Sequence, residues 1–179
     1  MTRAIFFDRD GVLNAIVERH GKPASPRTPD ELHIEVEALA TVQSLKAAGF
    51  AIFVVTNQPD VRRGLMPAAS LEAIHAKLAA ALPVDEILAC THDTADNCPC
   101  RKPKPGLILD LALRYGVDLS QSWMIGDQDR DIACGQAAGC KTILISRPYN
   151  SADRSGADHV VESLSQVISV IQSPARRCA

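Results

Sequence analysis

The chain has 179 residues, 46% of them hydrophobic and 22% charged, which is the make-up of one ordinary globular domain and not of a disordered chain. Its 19 Lys and Arg against 21 Asp and Glu leave a formal charge of −2, which argues against a general nucleic-acid binder while leaving room for a local cation cluster facing a small anion. The longest apolar run, Phe50 to Val55, falls far short of the roughly 20 residues of a spanning helix, so no membrane partner is expected. Asp8 interrupts the N-terminal run that a secretory signal would need. A cytoplasmic location is therefore expected, where six Cys point to metal binding or buried thiols before disulfides.

Along the chain, short apolar runs alternate with helical periods. Ala4–Asp8, Ala51–Asn57, Ile87–Cys90, Trp123–Asp127 and Thr142–Ser146 read as strands buried on both faces, with a weaker run at His159–Val161. Between them, Val36, Leu39, Val42 and Leu45 share one helical face, and Gly49 closes it. Leu71, Ile74, Leu78 and Leu82 follow Ser70 as an N-cap. Leu107, Ile108, Leu111 and Tyr115 follow Pro105, which suits a first helical residue. Ile132 to Ala138 ends at Gly139, and Leu164, Val167, Ile168 and Ile171 form the last helix. The stretch Asn14–Leu32, with Gly21, Pro23, Pro26 and Pro29, reads as a long loop, the kind that is often functional.

This alternation predicts an α/β fold: a Rossmann-like three-layer α/β/α sandwich around a mainly parallel sheet, with no insertion large enough for a cap domain. One domain over residues 1–172 is expected, with a frayed tail over 173–179. Ligands bind such sheets outside the carboxyl ends of the strands. The residues expected there are Asp8, Thr56 and Asn57, Cys90, and Gly126 and Asp127. Lone acids closing apolar strands are costly unless a cation meets them.

Four segments carry the chemistry. Asp8-Arg9-Asp10-Gly11 sets two acids at i and i+2, one able to attack and the other to move protons, although an Asp-Gly turn is also ordinary. Thr56-Asn57-Gln58 brings a hydroxyl and two amides to a strand tip. Lys102 and Lys104 flank Pro103 just before a helix, where an anion would be favoured. Asp127, Asp129 and Asp131 form a hard oxygen set with Asp8, suited to Mg2+, or in part cap a helix.

Taken together, strand-Asp-x-Asp-Gly, strand-Thr-Asn, Lys before a helix and strand-Gly-Asp-x-x-x-Asp resemble, in form and order, the four motifs of the haloacid dehalogenase superfamily of phosphotransferases. The resemblance runs from Ala4 to about Ser146. It implies Asp8 as the nucleophile that becomes an aspartyl-phosphate and Asp10 as general acid and base. It implies Thr56 and Lys102 as the groups that hold and neutralise the phosphoryl. For Mg2+ it implies Asp8, the backbone carbonyl of Asp10 and Asp127, with Asp131 acting through water.

A separate cluster reads Cys90-Thr-His92 and then Cys98-Pro-Cys100. Three sulfurs and an imidazole at this spacing match a closed Cys3His zinc site of structural type, within a segment made polar by Asp93, Asp96 and Asn97. Arg101 and Lys102 follow directly, so a metal there would also fix where they point. The run of this loop into Arg-Lys-Pro resembles a capless subgroup of the same superfamily, whose members act on D-glycero-D-manno-heptose 1,7-bisphosphate or on histidinol phosphate. The expected reaction is Mg2+-dependent removal of the 7-phosphate of the heptose bisphosphate, with histidinol phosphate as the alternative substrate. A zinc-stabilised domain without catalysis is the alternative of a different class. Asn57, Gln58, Arg63 and Arg101 are the expected substrate contacts, and a monomer is the default.

Two positions depart from the heptose pattern: Pro59-Asp60 follows Thr-Asn-Gln, and Gln128 stands where a Lys often follows the fourth-motif Asp. His20, His33, His75 and His159 read as surface or packing residues. Cys134 and Cys140 read as small core residues and Cys178 as exposed.

Overall fold

The computed structural model describes residues 1–150 and 156–173. The chain runs through β1 (Arg3–Phe7), a hairpin of β2 (Val17–Arg19) and β3 (Lys22–Ala24), α1 (Ala38–Ala47), β4 (Phe50–Asn57) and α2 (Ala68–Ala81). It continues through β5 (Glu86–Cys90), α3 (Gly106–Tyr115), β6 (Trp123–Gly126), α4 (Asp129–Ala138), β7 (Lys141–Ile145), β8 (His159–Val161) and α5 (Gln166–Gln172). Six strands form one sheet in the order β5-β4-β1-β6-β7-β8, and their pairings are parallel.

Strand β1 shows why both faces are covered. Ile5 and Phe7 point into one core with Val42 and Leu45 of α1, Ile74 and Leu78 of α2 and Val167 of α5. Ala4 and Phe6 point into the other, with Ile108 and Leu111 of α3 and Cys134 and Ala138 of α4. The three-layer α/β/α sandwich expected from the alternation of elements is therefore present. Among the described residues, no helix is long and apolar enough to cross a membrane.

The strand order also locates the crevice. After β1 the chain moves outward to β4 and β5; after β6 it moves the other way, to β7 and β8. The connections of the adjacent strands β1 and β6 thus diverge, and a ligand crevice opens outside their carboxyl ends. Asp8 follows β1 and Asp127 follows β6.

Several local expectations are corrected. Val36 is 97% exposed and precedes α1, whose buried face is Ala38, Thr41, Val42 and Leu45. Helix α2 begins at Ala68 behind Pro67, so Ser70 lies in its first turn and is not the cap. Pro105 is the N-cap of α3 and not its first residue. Helix α4 starts at Asp129 rather than Ile132, because Gln128 and Asp131 cap it reciprocally. Neither Asp127 nor Asp129 is the cap. The supposed long loop contains the β2–β3 hairpin, which pairs Glu18 with Pro23; a proline is tolerated in so short an edge ribbon. Cys134 and Cys140 are buried as expected. The expected tail, and Cys178 within it, lies outside the described residues from 174 onward.

Candidate active site

Three carboxylates meet one lysine at the crevice. Lys102 Nζ lies 2.8 Å from Asp8 Oδ1 and 2.7 Å from Asp131 Oδ1. The lysine is 3% exposed, Asp8 5%, Asp127 1% and Asp131 0%. Ligand oxygens of Asp8, Asp127 and Asp131 all fall within 4.8 Å of one another. A Cβ on Gly126 would lie 2.2 Å from the Asp131 Cβ, so only glycine at the end of β6 lets Asp131 fold back beside the strand.

The electrostatics follow from burial. Desolvation pushes Asp8 up to about 7, against the opposing pull of Lys102 and with the push of Asp131, Asp127 and Asp10. Burial raises Asp127 too, and Asp131 adds to it. Lys102 goes the other way: Asp131 and Asp8 outweigh its desolvation and hold the ammonium above its ordinary value. One lysine does not balance three buried carboxylates, and Asp127 Oδ1 is buried with no hydrogen-bond partner. A hard divalent cation between Asp8 and Asp127 fits this donor set.

Asp10 lines the same cavity but is held from behind. Its carboxylate accepts from Arg9 Nε at 3.0 Å, Arg9 Nη2 at 3.1 Å, Asn14 Nδ2 at 3.0 Å and Gln58 Nε2 at 2.8 Å. Burial alone would raise this carboxyl; the Arg9 charge and the hydrogen bonds of Arg9 and Asn14 outweigh it, so its pKa lies below the ordinary value. Gln58 Nε2 also donates to Thr56 Oγ1 at 2.8 Å. Asn57 brackets the backbone of Lys102, donating to its carbonyl and accepting from its N–H, both at 3.0 Å. In this way β4 positions the lysine that arrives from the distant Cys-rich loop.

The expected residues are thus brought together in part. Asp8, Asp10, Thr56, Asn57, Lys102 and Asp127 line one cavity of about 350 Å3, with Asp131 buried behind Lys102. Gln58 has no exposure and is engaged by Asp10 and Thr56. Arg63 is engaged by Asp93, its Nε 2.6 Å from Oδ2 and its Nη2 2.8 Å from Oδ1. Arg101, Arg63 and Gln58 line a neighbouring cavity of about 570 Å3 together with Arg19, His20 and Arg27. The two cavities share the segment from Lys22 to Ser25 together with Asn57 and Arg130. The sequence reading passed over Lys22, Arg130 and Tyr149, all of which line the first cavity. No periodicity or spacing flags them; only the hairpin, the start of α4 and the loop after β7 carry them there.

The second metal candidate is Cys90, His92, Cys98 and Cys100, whose ligand atoms also lie within 4.8 Å of one another. The Sγ atoms are 3.2 to 3.5 Å apart, and His92 Nδ1 is 3.6 Å from Cys90 and 3.4 Å from Cys100. A tetrahedron with Zn–S bonds of about 2.3 Å has edges of about 3.8 Å, close to this spacing. The cysteines form no disulfide. Burial pushes the Cys90 thiol up to about 12, so a cation is what would hold it as thiolate. Four protein ligands leave no open position, which suits a structural zinc. Arg101 Nη1 donates to the His92 carbonyl at 3.1 Å, tying this loop to the basic cavity.

Comparison with known proteins agrees with this geometry. The HAD-hydrolase-like family model matches residues 99–167. The chain is 38% identical over 148 residues to the D-glycero-beta-D-manno-heptose-1,7-bisphosphate 7-phosphatase of Bordetella bronchiseptica, covering 80% of each chain. It is 36% identical over 151 residues to the protein of the same name from Pseudomonas aeruginosa, covering 81% of this chain and 82% of that one. The crystal structure of the B. bronchiseptica D,D-heptose 1,7-bisphosphate phosphatase, complexed with magnesium and phosphate, superimposes with a TM-score of 0.82 at 33% identity, covering 95% of this chain and 98% of that chain.

Proposed function

Because the chain belongs to the haloacid dehalogenase-like hydrolases and is a phosphoric monoester hydrolase, we propose that it removes the 7-phosphate of D-glycero-β-D-manno-heptose 1,7-bisphosphate, with Mg2+ and through an aspartyl-phosphate on Asp8. One observation carries the choice of substrate. The catalytic cavity adjoins a second cavity rich in cations, with Lys22 and Arg130 at the shared wall and Arg101 beyond. A bisphosphate needs a second anion site while its first phosphate is removed, and guanidinium groups suit that task. Gln128 removes one cation beside Asp127, and Arg130, two residues on, supplies another.

The reaction divides into two steps. Asp8 Oδ attacks phosphorus, and the bond to the C7 oxygen breaks as that oxygen takes a proton from Asp10. Asp10, now a carboxylate, takes a proton from water, which attacks the same phosphorus and frees Asp8 and inorganic phosphate. Arg9 and its neighbours hold Asp10 ionised before substrate arrives. A dianionic phosphoryl group beside it raises its proton affinity, so Asp10 takes up a proton from solvent as the substrate binds and enters the first step as the acid; the proton it later takes from water restores that form for the next turnover. Thr56 and the Lys102 ammonium hold the equatorial oxygens, and Lys102 also pulls Asp8 toward the ionised form that attacks. Asp8, the Asp10 carbonyl and Asp127 would hold Mg2+, with Asp131 reached through water. When bound, Mg2+ supplies positive charge to the phosphoryl oxygens as they develop charge. Zinc on Cys90, His92, Cys98 and Cys100 has no step of its own and fixes the loop that carries Arg101 and Lys102. The working form in this reading is a cytoplasmic monomer acting on a small phosphorylated sugar, without nucleic-acid or membrane partners.

The test is phosphate release with Mg2+ from heptose 1,7-bisphosphate and from histidinol phosphate side by side, with Asp8→Asn as blank. The expected result is a strong preference for the bisphosphate and no turnover by Asp8→Asn. Preference for histidinol phosphate would overturn the substrate, and turnover by the variant would overturn the covalent route.

A further inference from the structure

The loop after β7 makes three bonds to the two catalytic loops. Tyr149 Oη donates to Asp127 Oδ2 at 2.6 Å. Asn150 Nδ2 donates to the Asp127 carbonyl at 2.7 Å and to the Ile145 carbonyl at 2.8 Å. Arg147 Nε donates to the Gly11 carbonyl at 2.9 Å. Gly11 leaves the room required: a Cβ there would lie 2.3 Å from both Tyr149 Oη and Asp127 Oδ2, and its φ is +81°.

The consequence is that the two oxygens of Asp127 differ. Oδ2 takes the phenol and, at 3.3 Å, Gln128 Nε2. Oδ1 is buried and has no partner.

We propose that Tyr149 is a positioning residue of the Mg2+ site: its hydroxyl occupies Asp127 Oδ2, fixes the carboxylate rotamer and leaves Oδ1 as the metal-facing oxygen. The proposal rests on the Mg2+ reading above. Its physical basis is that a carboxylate held by an outer hydrogen bond loses little freedom on taking up a cation, and losing such a partner weakens metal binding by about 10- to 100-fold.

The test is calorimetric titration of the zinc-loaded protein with Mg2+ in the absence of substrate, for wild type, Tyr149→Phe and Tyr149→Leu. Both variants should bind Mg2+ at least about tenfold more weakly, with unchanged zinc content. In turnover, excess Mg2+ should return the kcat of Tyr149→Phe to near the wild-type value at an unchanged sugar KM, a recovery that a packing defect would not show. Equal or tighter Mg2+ binding by Tyr149→Phe overturns the proposal, the tighter case meaning that the hydroxyl competes with the cation. Weakening in Tyr149→Leu alone also overturns it, since the ring and not the hydroxyl would then matter. If wild type itself takes up no Mg2+, the Mg2+ reading falls and the proposal with it.

Discussion

Arg9 clamps Asp10. The guanidinium has no solvent exposure and reaches the two carboxylate oxygens with Nε and Nη2 at 3.0 and 3.1 Å. The residue between the two acids of the first motif therefore faces away from the cavity and sets the protonation of the second acid.

Arg9→Met keeps much of the apolar stem and removes the charge. Breaking a buried pair from one side costs about 3–5 kcal/mol, so a fall in stability of that order is expected at neutral pH. The sign follows from the depressed pKa of Asp10: its contribution is present above the unfolded carboxylate value and fades as pH falls through the lower folded one. The variant's deficit should therefore shrink in strong acid. Urea melts of both proteins across pH would show this. In turnover, the acid limb of the kcat profile should move to higher pH.

His75 on α2 supplies a second pH dependence. Burial lowers its pKa to about 4, with the Arg9 charge adding and Asp10 opposing. Its Nε2 is buried without a hydrogen-bond partner. Between about pH 6.5 and 4 the unfolded chain takes up a proton that the folded chain refuses, so this group lowers stability as pH falls through that window. His75→Leu should lose less stability than wild type between pH 7 and 5. Parallel decline of the two proteins would remove His75 as the cause.

Arg130 tests the second-phosphate site. Replacing it with Ala should raise KM for the bisphosphate about tenfold, the worth of one charge-assisted hydrogen bond. The KM for a simple aryl monophosphate should rise less, since that substrate has nothing to place in the basic cavity. Equal effects on both would put Arg130 outside second-phosphate recognition.

Cys98→Ser tests the zinc loop. Metal analysis should give about one zinc per wild-type chain and a lower content in the variant. The melting temperature should fall and KM should rise together, because Arg63 is anchored on Asp93 and Arg101 on the His92 carbonyl. Loss of zinc with unchanged KM would uncouple the metal from substrate binding.

Much of the molecule follows from the sequence because its signals are local. Strands buried on both faces need near-continuous apolar residues, so β1, β4, β6 and β7 stand out as short runs; β5 reads the same way although it is a half-buried edge strand. A glycine needing positive φ marks the end of a helix, as at Gly139. The catalytic acids close strands, and the zinc ligands lie within eleven residues of one another, so spacing alone groups them. Hairpin β2–β3 was less legible, because Gly21 and Pro23 read as loop residues and the pairing that makes them a ribbon is between strands.

The tertiary structure decided what distant segments do to one another. That Lys102 serves both Asp8 and Asp131, that Gln58 supports Asp10, and that Tyr149 reaches Asp127 all depend on side chains meeting across elements 22 to 94 residues apart. Sequence fixes the type of each group, and so the chemistry open to it. Direction and partner come only from packing, because an arginine can line an open cavity, as Arg130 does, or clamp a carboxylate, as Arg9 does.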